Sequence, residues 1–327
     1  MALSAQVLQL DAQAEIERIG LGLRTALARS LHRRGAVVAV SGGIDSAVCA
    51  ALAARALGPR RVLALALPER ESAPQSVARA RAVAAALGIE LIEQDITPAL
   101  EALGGYRARD EAMRRAVPHY GPGWRMKIVL ESGGERGVNH FRAVARSPEG
   151  AEHEARLGYR EYLDIVAATS FKQRVRKTLE YFHADRLRFA VLGTPNRLEY
   201  DLGFFVKNGD GSADVKPIAH LYKSQVYALA AGLHLPAEVV AAQPTTDTFS
   251  LPQSQDEFYF TLPYRQMDLA LWAFNHDVSA GHLGAALGMT ERQARLVYDD
   301  IRAKRRAAEY LTAQPILLTD RAQEASR

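Results

Sequence analysis

The stretch Ser41-Gly42-Gly43-Ile44-Asp45-Ser46 sets two glycines, two hydroxyls and a carboxylate between an apolar run, Ala36–Val40, and an alanine-rich segment. Glycines let successive backbone N–H groups converge, and a helix beginning near Ser46 adds the positive end of its dipole. Such a stretch suits an anion. Ser41 and Ser46 offer hydroxyl donors to phosphate oxygens. Asp45 would repel a polyphosphate unless a cation lay between them, which implies Mg²⁺. The spacing is not that of a P-loop, since no Gly-Lys-Ser/Thr follows, and it is not G-x-G-x-x-G. For the glycines alone, a tight turn is the competing explanation.

These side chains need a frame. Residues 11–32 have helical periodicity, with Ile16, Ile19, Leu23, Ala26, Leu27 and Leu31 on one side and Asp11 as N-cap. A strand over Ala36–Val40 leads to a helix from about Ser46 to Leu57. "RRVLALALP" reads as a buried strand, "SAPQSVARARAVAAALG" as a helix closed by Gly88, and "IELIEQDI" as a third strand. Further on, "EYLDIVAATSFKQRVRKTLEYFHADR" reads as a helix and "LRFAVLG" as a strand, while "YKSQVYALAAGLHLP" reads as a helix stopped by Pro236. This alternation predicts an α/β fold, a doubly wound parallel sheet with helices on both faces. The reading is one domain over residues 1–312 with an insertion at about 104–158, followed by a loose tail over 313–327. The insertion is rich in Gly, Pro and Arg and too long for a bare loop, so it is expected to have structure of its own.

Of the 327 residues, 48% are hydrophobic and 24% charged, which excludes wholesale disorder. No apolar run is long enough to cross a bilayer, and the N-terminal residues lack the basic-then-apolar pattern of a signal segment. The expected compartment is cytoplasmic. A single cysteine, Cys49, cannot form an internal disulfide or a cysteine metal site, and reads as a small buried residue behind the glycine loop. The net charge of +4 suits nucleotides as well as nucleic acid, because the arginines are spread along the chain.

The loop resembles the S-G-G-x-D-S pyrophosphate loop of the ATP pyrophosphatases, the superfamily with the adenine nucleotide alpha hydrolase-like fold. A longer stretch, "GTPNRLEYDLGFFVKNGDGSADVKPIAHLYKSQV", closely resembles the NAD synthetase signature, and "PTTDTFSLPQSQDE" resembles a further segment of that family. The resemblance covers about residues 10–100 and 165–310. It implies an ammonia-dependent amide synthetase using ATP and Mg²⁺, in which a carboxylate is adenylated with release of pyrophosphate and ammonia then displaces AMP.

Carried over residue by residue, it makes Asp45 and Glu199 the Mg²⁺ carboxylates. Ser41, Gly42, Gly43, Ile44, Ser46, Leu67, Thr194 and Thr245 become ATP contacts, with Leu67 presenting its backbone to adenine. Lys223 neutralises the departing pyrophosphate, and Asp210 sits near the phosphates or orients ammonia. Arg174, Lys207, Asp214 and Lys304 bind deamido-NAD. The family also implies a homodimer. The apolar side of helix 11–32, with no evident partner in the sheet, fits that expectation. With no glutaminase segment in the sequence, ammonia is expected from solution or from a separate glutaminase.

Three departures fall on the carboxylate side. Ala303-Lys304 replaces the family's His-Lys pair, Ser170 replaces an asparagine, and the 104–158 insertion is extra. Amidation of another small carboxylate therefore stands as the alternative to deamido-NAD. If deamido-NAD is the substrate, Arg107, Arg114, Arg115, Tyr120, Trp124 and Arg125 are candidates to clamp it by phosphate pairing and stacking. Two further classes compete. "HLGAALGMTERQARLVYDDIRAKRR" has the look of a helix-turn-helix for DNA or tRNA, though nucleic acid is the weaker choice of partner. A non-catalytic nucleotide-binding protein is opposed by the presence of Asp45, Glu199 and Lys223 together.

Overall fold

A computed structural model describes residues 3–131, 140–242, 248–253, 259–260 and 262–318. Strands β1 (Ala36–Ala39), β2 (Val62–Ala66), β3 (Glu90–Glu93) and β7 (Ala190–Leu192) form a parallel sheet in the order β3-β2-β1-β7. Its register pairs Ala39 with Leu65 and Val38 with Leu192. Successive side chains of a strand point to opposite faces, and both faces here are apolar. Ala36, Val38, Val62 and Ala64 face α2 (Ile44–Leu57) and α3 (Pro74–Leu87), whereas Val37, Leu63, Leu65 and Val191 share the other core with residues of α6 (Tyr159–Leu187). That is the expected doubly wound sheet. The chain leaves β1 toward β2 on one side and returns in β7 on the other, so a crevice opens beyond the carboxyl ends of β1 and β7.

Helix α1 (Ala12–Thr25) starts at Asp11, whose carboxylate accepts from Gln13 N and Ala14 N, both at 3.0 Å. It is extended by a π-turn over Ala26–Ser30. Its apolar side is not left for a second subunit: Ile16, Ile19, Leu23 and Leu27 are buried in the core with α2 and α8 (Lys223–Gly232). Burying four such side chains stabilises the fold by about 1.5–3 kcal/mol each. Helix α8 ends at Gly232 rather than running to Pro236. His234 then takes a left-handed conformation, φ 52°, before the proline.

The insertion has a core of its own. After the short α4 (Thr97–Ala102), helix α5 (Gly105–Ala116) is followed by β4 (Arg125–Glu131), β5 (His140–Arg146) and β6 (Glu152–Arg156), an antiparallel sheet in the order β4-β5-β6. Met113, Met126, Ile128, Ala143 and Ala145 are fully buried between this sheet, α5 and the start of α6. The edge strand β6 is mostly exposed and charged, a composition that discourages pairing with another sheet.

The remaining helices are α7 (Arg197–Leu202), the short α9 (Ala237–Val240), α10 (Tyr264–Asn275), α11 (Ala280–Leu287) and α12 (Glu291–Thr312). Helices α7, α10, α11 and α12 build a further core with the turn Ala5–Leu8. The helix-turn-helix pattern is present, with Gly288 at φ 68° between α11 and α12. Leu283, Ala294, Val297 and Ile301 are spent in this core. Arg295, Arg302, Lys304 and Arg305 are paired with Glu291, Asp299, Asp300 and Asp201. The pattern therefore packs as ordinary structure. Residues 313–318 have no regular structure. Among the described residues no helix is long and apolar enough to cross a membrane.

Candidate active site

A cavity of about 440 Å³ lies outside the carboxyl ends of β1, β2 and β7, and the phosphate loop forms its floor. Helix α2 begins at Ile44, two residues earlier than expected, so Asp45 belongs to its first turn rather than to the loop. Gly42 has φ 81°, and a Cβ there would come within 2.5 Å of the Ser76 carbonyl oxygen; only glycine fits. The hydroxyls brace the turn. Ser46 Oγ donates to Gly43 O at 2.9 Å and accepts from Ser41 N at 3.2 Å, while Gly43 N donates to Ser41 Oγ at 3.3 Å. Cys49 is buried behind it, its thiol toward Gly193 O at 3.9 Å.

Three elements converge on this floor. Helix α7 starts with a capping box: Asn196 N donates to Glu199 Oε2 at 3.0 Å, and Glu199 N donates to Asn196 Oδ1 at 3.3 Å. Asn196 Nδ2 also donates to Asp45 Oδ1 at 3.4 Å. Lys223, the first residue of α8, is fully buried, and its ammonium is paired with the Asp45 carboxylate. The backbone N–H groups of Lys223 and Ser224 donate to the buried carboxylate of Asp268, at 3.1 and 2.7 Å, which fixes where α8 begins. Burial and the neighbouring Asp45 push Glu199 well above the usual carboxylate range. Burial alone would lower Lys223, but Asp45 and Glu199 hold it above the ordinary lysine value.

Ser41, Gly42, Gly43, Ile44, Asp45, Ser46, Leu67, Thr194, Glu199, Asp210 and Lys223 all line the cavity. Leu67 O accepts from Arg176 Nε at 3.0 Å. Asp210 is partly exposed; its carboxylate accepts from Val206 N at 2.8 Å, and the desolvation of its surroundings raises its pKa. Thr245 lies outside the described residues.

Four other expected residues do not line the cavity. Arg174 donates to Lys207 O at 3.3 Å, and Lys207 donates to Tyr310 O at 2.7 Å, so these two share an adjoining surface with the last turns of α12. Asp214 pins the edge of β7, accepting from Val191 N at 2.8 Å and Tyr181 OH at 3.3 Å. Lys304 donates to Tyr259 O at 2.7 Å and pairs with Asp300 at 2.6 Å.

The suggested clamp in the insertion is also differently placed. Arg114 donates to Tyr120 O at 3.2 Å and Arg125 to Ser250 O at 2.7 Å, while Arg115 is paired with Glu161 and Asp164. Tyr120 is buried in the insertion's own core, and Trp124 packs against Tyr120 and His153. None of these residues, nor Arg107, lines the cavity. Its aromatic lining comes instead from Phe204, Phe205, Phe249, Tyr259 and the pair of Phe141 (β5) and Tyr162 (α6), whose rings stack at 4.0 Å and 12°.

Sequence reasoning also missed a buried ionic network joining the sheet to the insertion. Lys172 Nζ donates to Glu69 Oε1 and Glu71 Oε2, both at 2.8 Å, and to Thr248 O at 3.0 Å. From α5, Tyr106 OH donates to Glu69 at 2.6 Å and Arg109 to Glu71 at 2.5 Å. Burial would raise Glu71, but Lys172 and Arg109 hold it below the ordinary carboxylate value. A second pair, Lys177 and Glu180 at 2.6 Å, lines the cavity wall. Their i, i+3 spacing in the helix was the one signal available for it.

The parallel sheet, the glycine loop at its switch point and the carboxylates beside a buried lysine define a nucleotide-binding α/β protein with a pyrophosphate loop. The NAD synthase family model matches residues 15–137 and 146–308, and the chain belongs to that family. It is 55% identical over 312 residues to an NH(3)-dependent NAD(+) synthetase of Mesorhizobium japonicum, covering 95% of this chain and 98% of that one. Two solved structures show the same adenine nucleotide alpha hydrolase-like fold. One is an NMN synthetase from Francisella tularensis (TM-score 0.65, 21% identity, 95% of this chain and 100% of that one). The other is an NH3-dependent NAD synthetase from Campylobacter jejuni (TM-score 0.61, 21% identity, again 95% and 100%).

Proposed function

We propose that this protein is a ligase that forms a C–N bond, amidating deamido-NAD with ammonia at the expense of ATP to give NAD, AMP and pyrophosphate. One observation carries it. The phosphate loop, Asp45, Glu199 and Lys223 meet in a single cavity of a chain that matches a named NH(3)-dependent NAD(+) synthetase over 98% of its length.

On this reading the ATP phosphates lie on the N–H groups of the loop and the N-terminus of α2, with Ser41 and Thr194 as further donors and Ser46, whose proton is held by Gly43 O, bracing the loop against them. Thr245 is proposed as another ATP-side hydroxyl. A carboxylate oxygen of deamido-NAD attacks the α-phosphorus. The bond from that phosphorus to the bridging oxygen breaks, and pyrophosphate leaves with the electron pair. Lys223 faces the growing negative charge, already held in place by burial and by Asp45, so little reorganisation is needed. The nitrogen of ammonia then attacks the carbonyl carbon of the acyl-adenylate, loses a proton, and AMP departs with the electrons of the C–O bond. Asp210, on the cavity wall and raised in pKa by burial, is proposed to orient the ammonia or take that proton.

Asp45 and Glu199 would hold Mg²⁺. Asp45 and Glu199 line the cavity beside the single ammonium of Lys223, two carboxylates to one cation, a donor set that suits a divalent ion completed by phosphate oxygens and water. When bound, the ion would neutralise polyphosphate charge.

Arg174, Lys207, Asp214 and Lys304 remain the proposed contacts for deamido-NAD. Arg174 and Lys207 face an adjoining surface beside the exposed Tyr310, and Phe182 of α6 is also exposed, so a homodimer is part of this reading. Ammonia comes from solution or from a separate glutaminase. The test is to supply Mg-ATP, ammonium and deamido-NAD, with a panel of other small carboxylates in parallel. Equal amounts of NAD and AMP are expected. Amidation of another acid but not of deamido-NAD would replace the substrate.

A further inference from the structure

Residues 248–253 are not a strand, yet they run along the free edge of the insertion's sheet. In an antiparallel pair the N–H and C=O of one residue point to the same side, and successive residues alternate. Strand β4 has β5 on one side only, and Met126 and Ile128 turn backbone groups to the other. The segment takes up three of these groups. Leu251 N donates to Met126 O at 3.0 Å, Ser250 Oγ accepts from Met126 N at 2.8 Å, and Gln253 Nε2 donates to Ile128 O at 2.6 Å. In the opposite direction Arg125 Nε donates to Ser250 O at 2.7 Å. Two steps along the segment, from Leu251 to Gln253, match two steps along β4, from Met126 to Ile128. An edge that would otherwise offer open hydrogen-bonding groups is covered.

The same segment reaches the cavity. Phe249 is buried in the insertion's core and, with Thr248, lines the cavity whose floor is the phosphate loop. Lys172 Nζ donates to Thr248 O at 3.0 Å and to Glu69 Oε1 at 2.8 Å, and Glu69 follows Leu67, the proposed adenine contact, by two residues. Thr248 is therefore fixed beside the chain that leaves β2, while Ser250 to Gln253 are fixed on β4. Gln253 is 3% exposed, so its amide has no water to turn to once the Ile128 contact is lost.

We infer that the insertion is the seat of this segment, and that Ser250 and Gln253 are positioning residues that keep Thr248 and Phe249 in the nucleotide-facing wall of the cavity. The inference rests on the ATP reading above and gives the antiparallel sheet a part in it. Neither Ser250 nor Gln253 lines the cavity, so their effect on ATP passes through the backbone they hold.

The experiment compares Ser250→Ala, Gln253→Met, the double variant and Ser250→Thr with the intact enzyme. It measures Kd for Mg-ATP by calorimetry without acid or ammonia, kcat at saturating substrates, and hydrogen exchange at the Leu251 amide. Each single loss is expected to raise Kd about two- to tenfold, the worth of one hydrogen bond, and the double variant should raise it further. Ground-state and transition-state binding are lost alike, so kcat should stay within about twofold. Without nucleotide the Leu251 amide should be protected in the intact enzyme, and in the double variant it should exchange at least about tenfold faster while the amides of β1 do not change. Ser250→Thr keeps the hydroxyl and should restore Kd. Methionine keeps the length of Gln253, so it answers the question if Ser250→Ala fails to fold. An unchanged Kd in variants whose Leu251 amide exchanges faster would make the contact merely structural and overturn the inference. A Leu251 amide unprotected in the intact enzyme, or an acceleration shared equally by β1, would overturn it as well. Because Kd is read without acid, failure to amidate deamido-NAD would replace the proposed substrate and leave this result standing. An intact enzyme that binds no Mg-ATP would overturn the ATP reading and the inference together.

Discussion

The two ends of the cavity are positioned by different physics. At the phosphate end, backbone geometry does the work: a parallel register, a glycine turn with one allowed residue type, and three helix starts at α2, α7 and α8. At the insertion end, an antiparallel sheet with its own core presents Phe141, stacked on Tyr162 of α6, to the cavity, while arginines of the insertion are paired with acids or backbone carbonyls. The first end is stiff because backbone groups cannot be rearranged without breaking the sheet. The second is a module tied to the sheet by Lys172, Arg109 and Tyr106. Chemistry is expected to follow the first region and substrate affinity the second.

The largest effect should come from the phosphate end. Asp45→Asn and Glu199→Gln keep the side-chain shape and remove the charge, and kcat for AMP formation should fall at least a hundredfold, about 2.7 kcal/mol of barrier. Circular dichroism should show the fold retained. A variant keeping more than about a tenth of kcat would break the assignment of chemistry to this region.

Next comes the tie between the regions. Lys172→Met leaves Glu69 and Glu71 buried with one cation fewer, and removing one partner of a buried pair costs about 3–5 kcal/mol. Denaturant unfolding should register that loss, with a larger rise in KM for Mg-ATP than in the barrier to chemistry. Equal losses in both would mean that the two regions act as one unit.

The smallest effect sharpens the same contrast. Arg115→Ala removes an exposed pairing with Glu161 and Asp164, worth about 0–1 kcal/mol, and KM for deamido-NAD should not move. A tenfold rise would restore the arginine clamp that the sequence had suggested.

What was legible in the sequence follows the same division. The glycine loop could be read because a left-handed residue packed against Ser76 admits only glycine, and Asp11 because a cap is a local hydrogen bond. The alternation in "RMKIVLE", with Met126 and Ile128 inward, was a readable strand signal that the arginine-rich setting obscured. The fate of α1 was not readable: nothing local says which surface will cover an apolar helix face, and α2 and α8 do. Nor was the Lys172 network, because Glu69 and Lys172 are brought together across 103 residues of chain. The arginines of the insertion were assigned by type alone, and only tertiary packing turned them toward Glu161, Asp164 and backbone carbonyls.

The central claim is that the floor built by Asp45, Glu199 and Lys223 adenylates a carboxylate. Deamido-NAD labelled with ¹⁸O in its carboxylate tests it most directly, with AMP and pyrophosphate analysed by mass spectrometry after turnover with ammonium. Attack on the α-phosphorus predicts one ¹⁸O in each AMP and none in pyrophosphate. Label in pyrophosphate or inorganic phosphate, or AMP free of label while NAD forms, would contradict it.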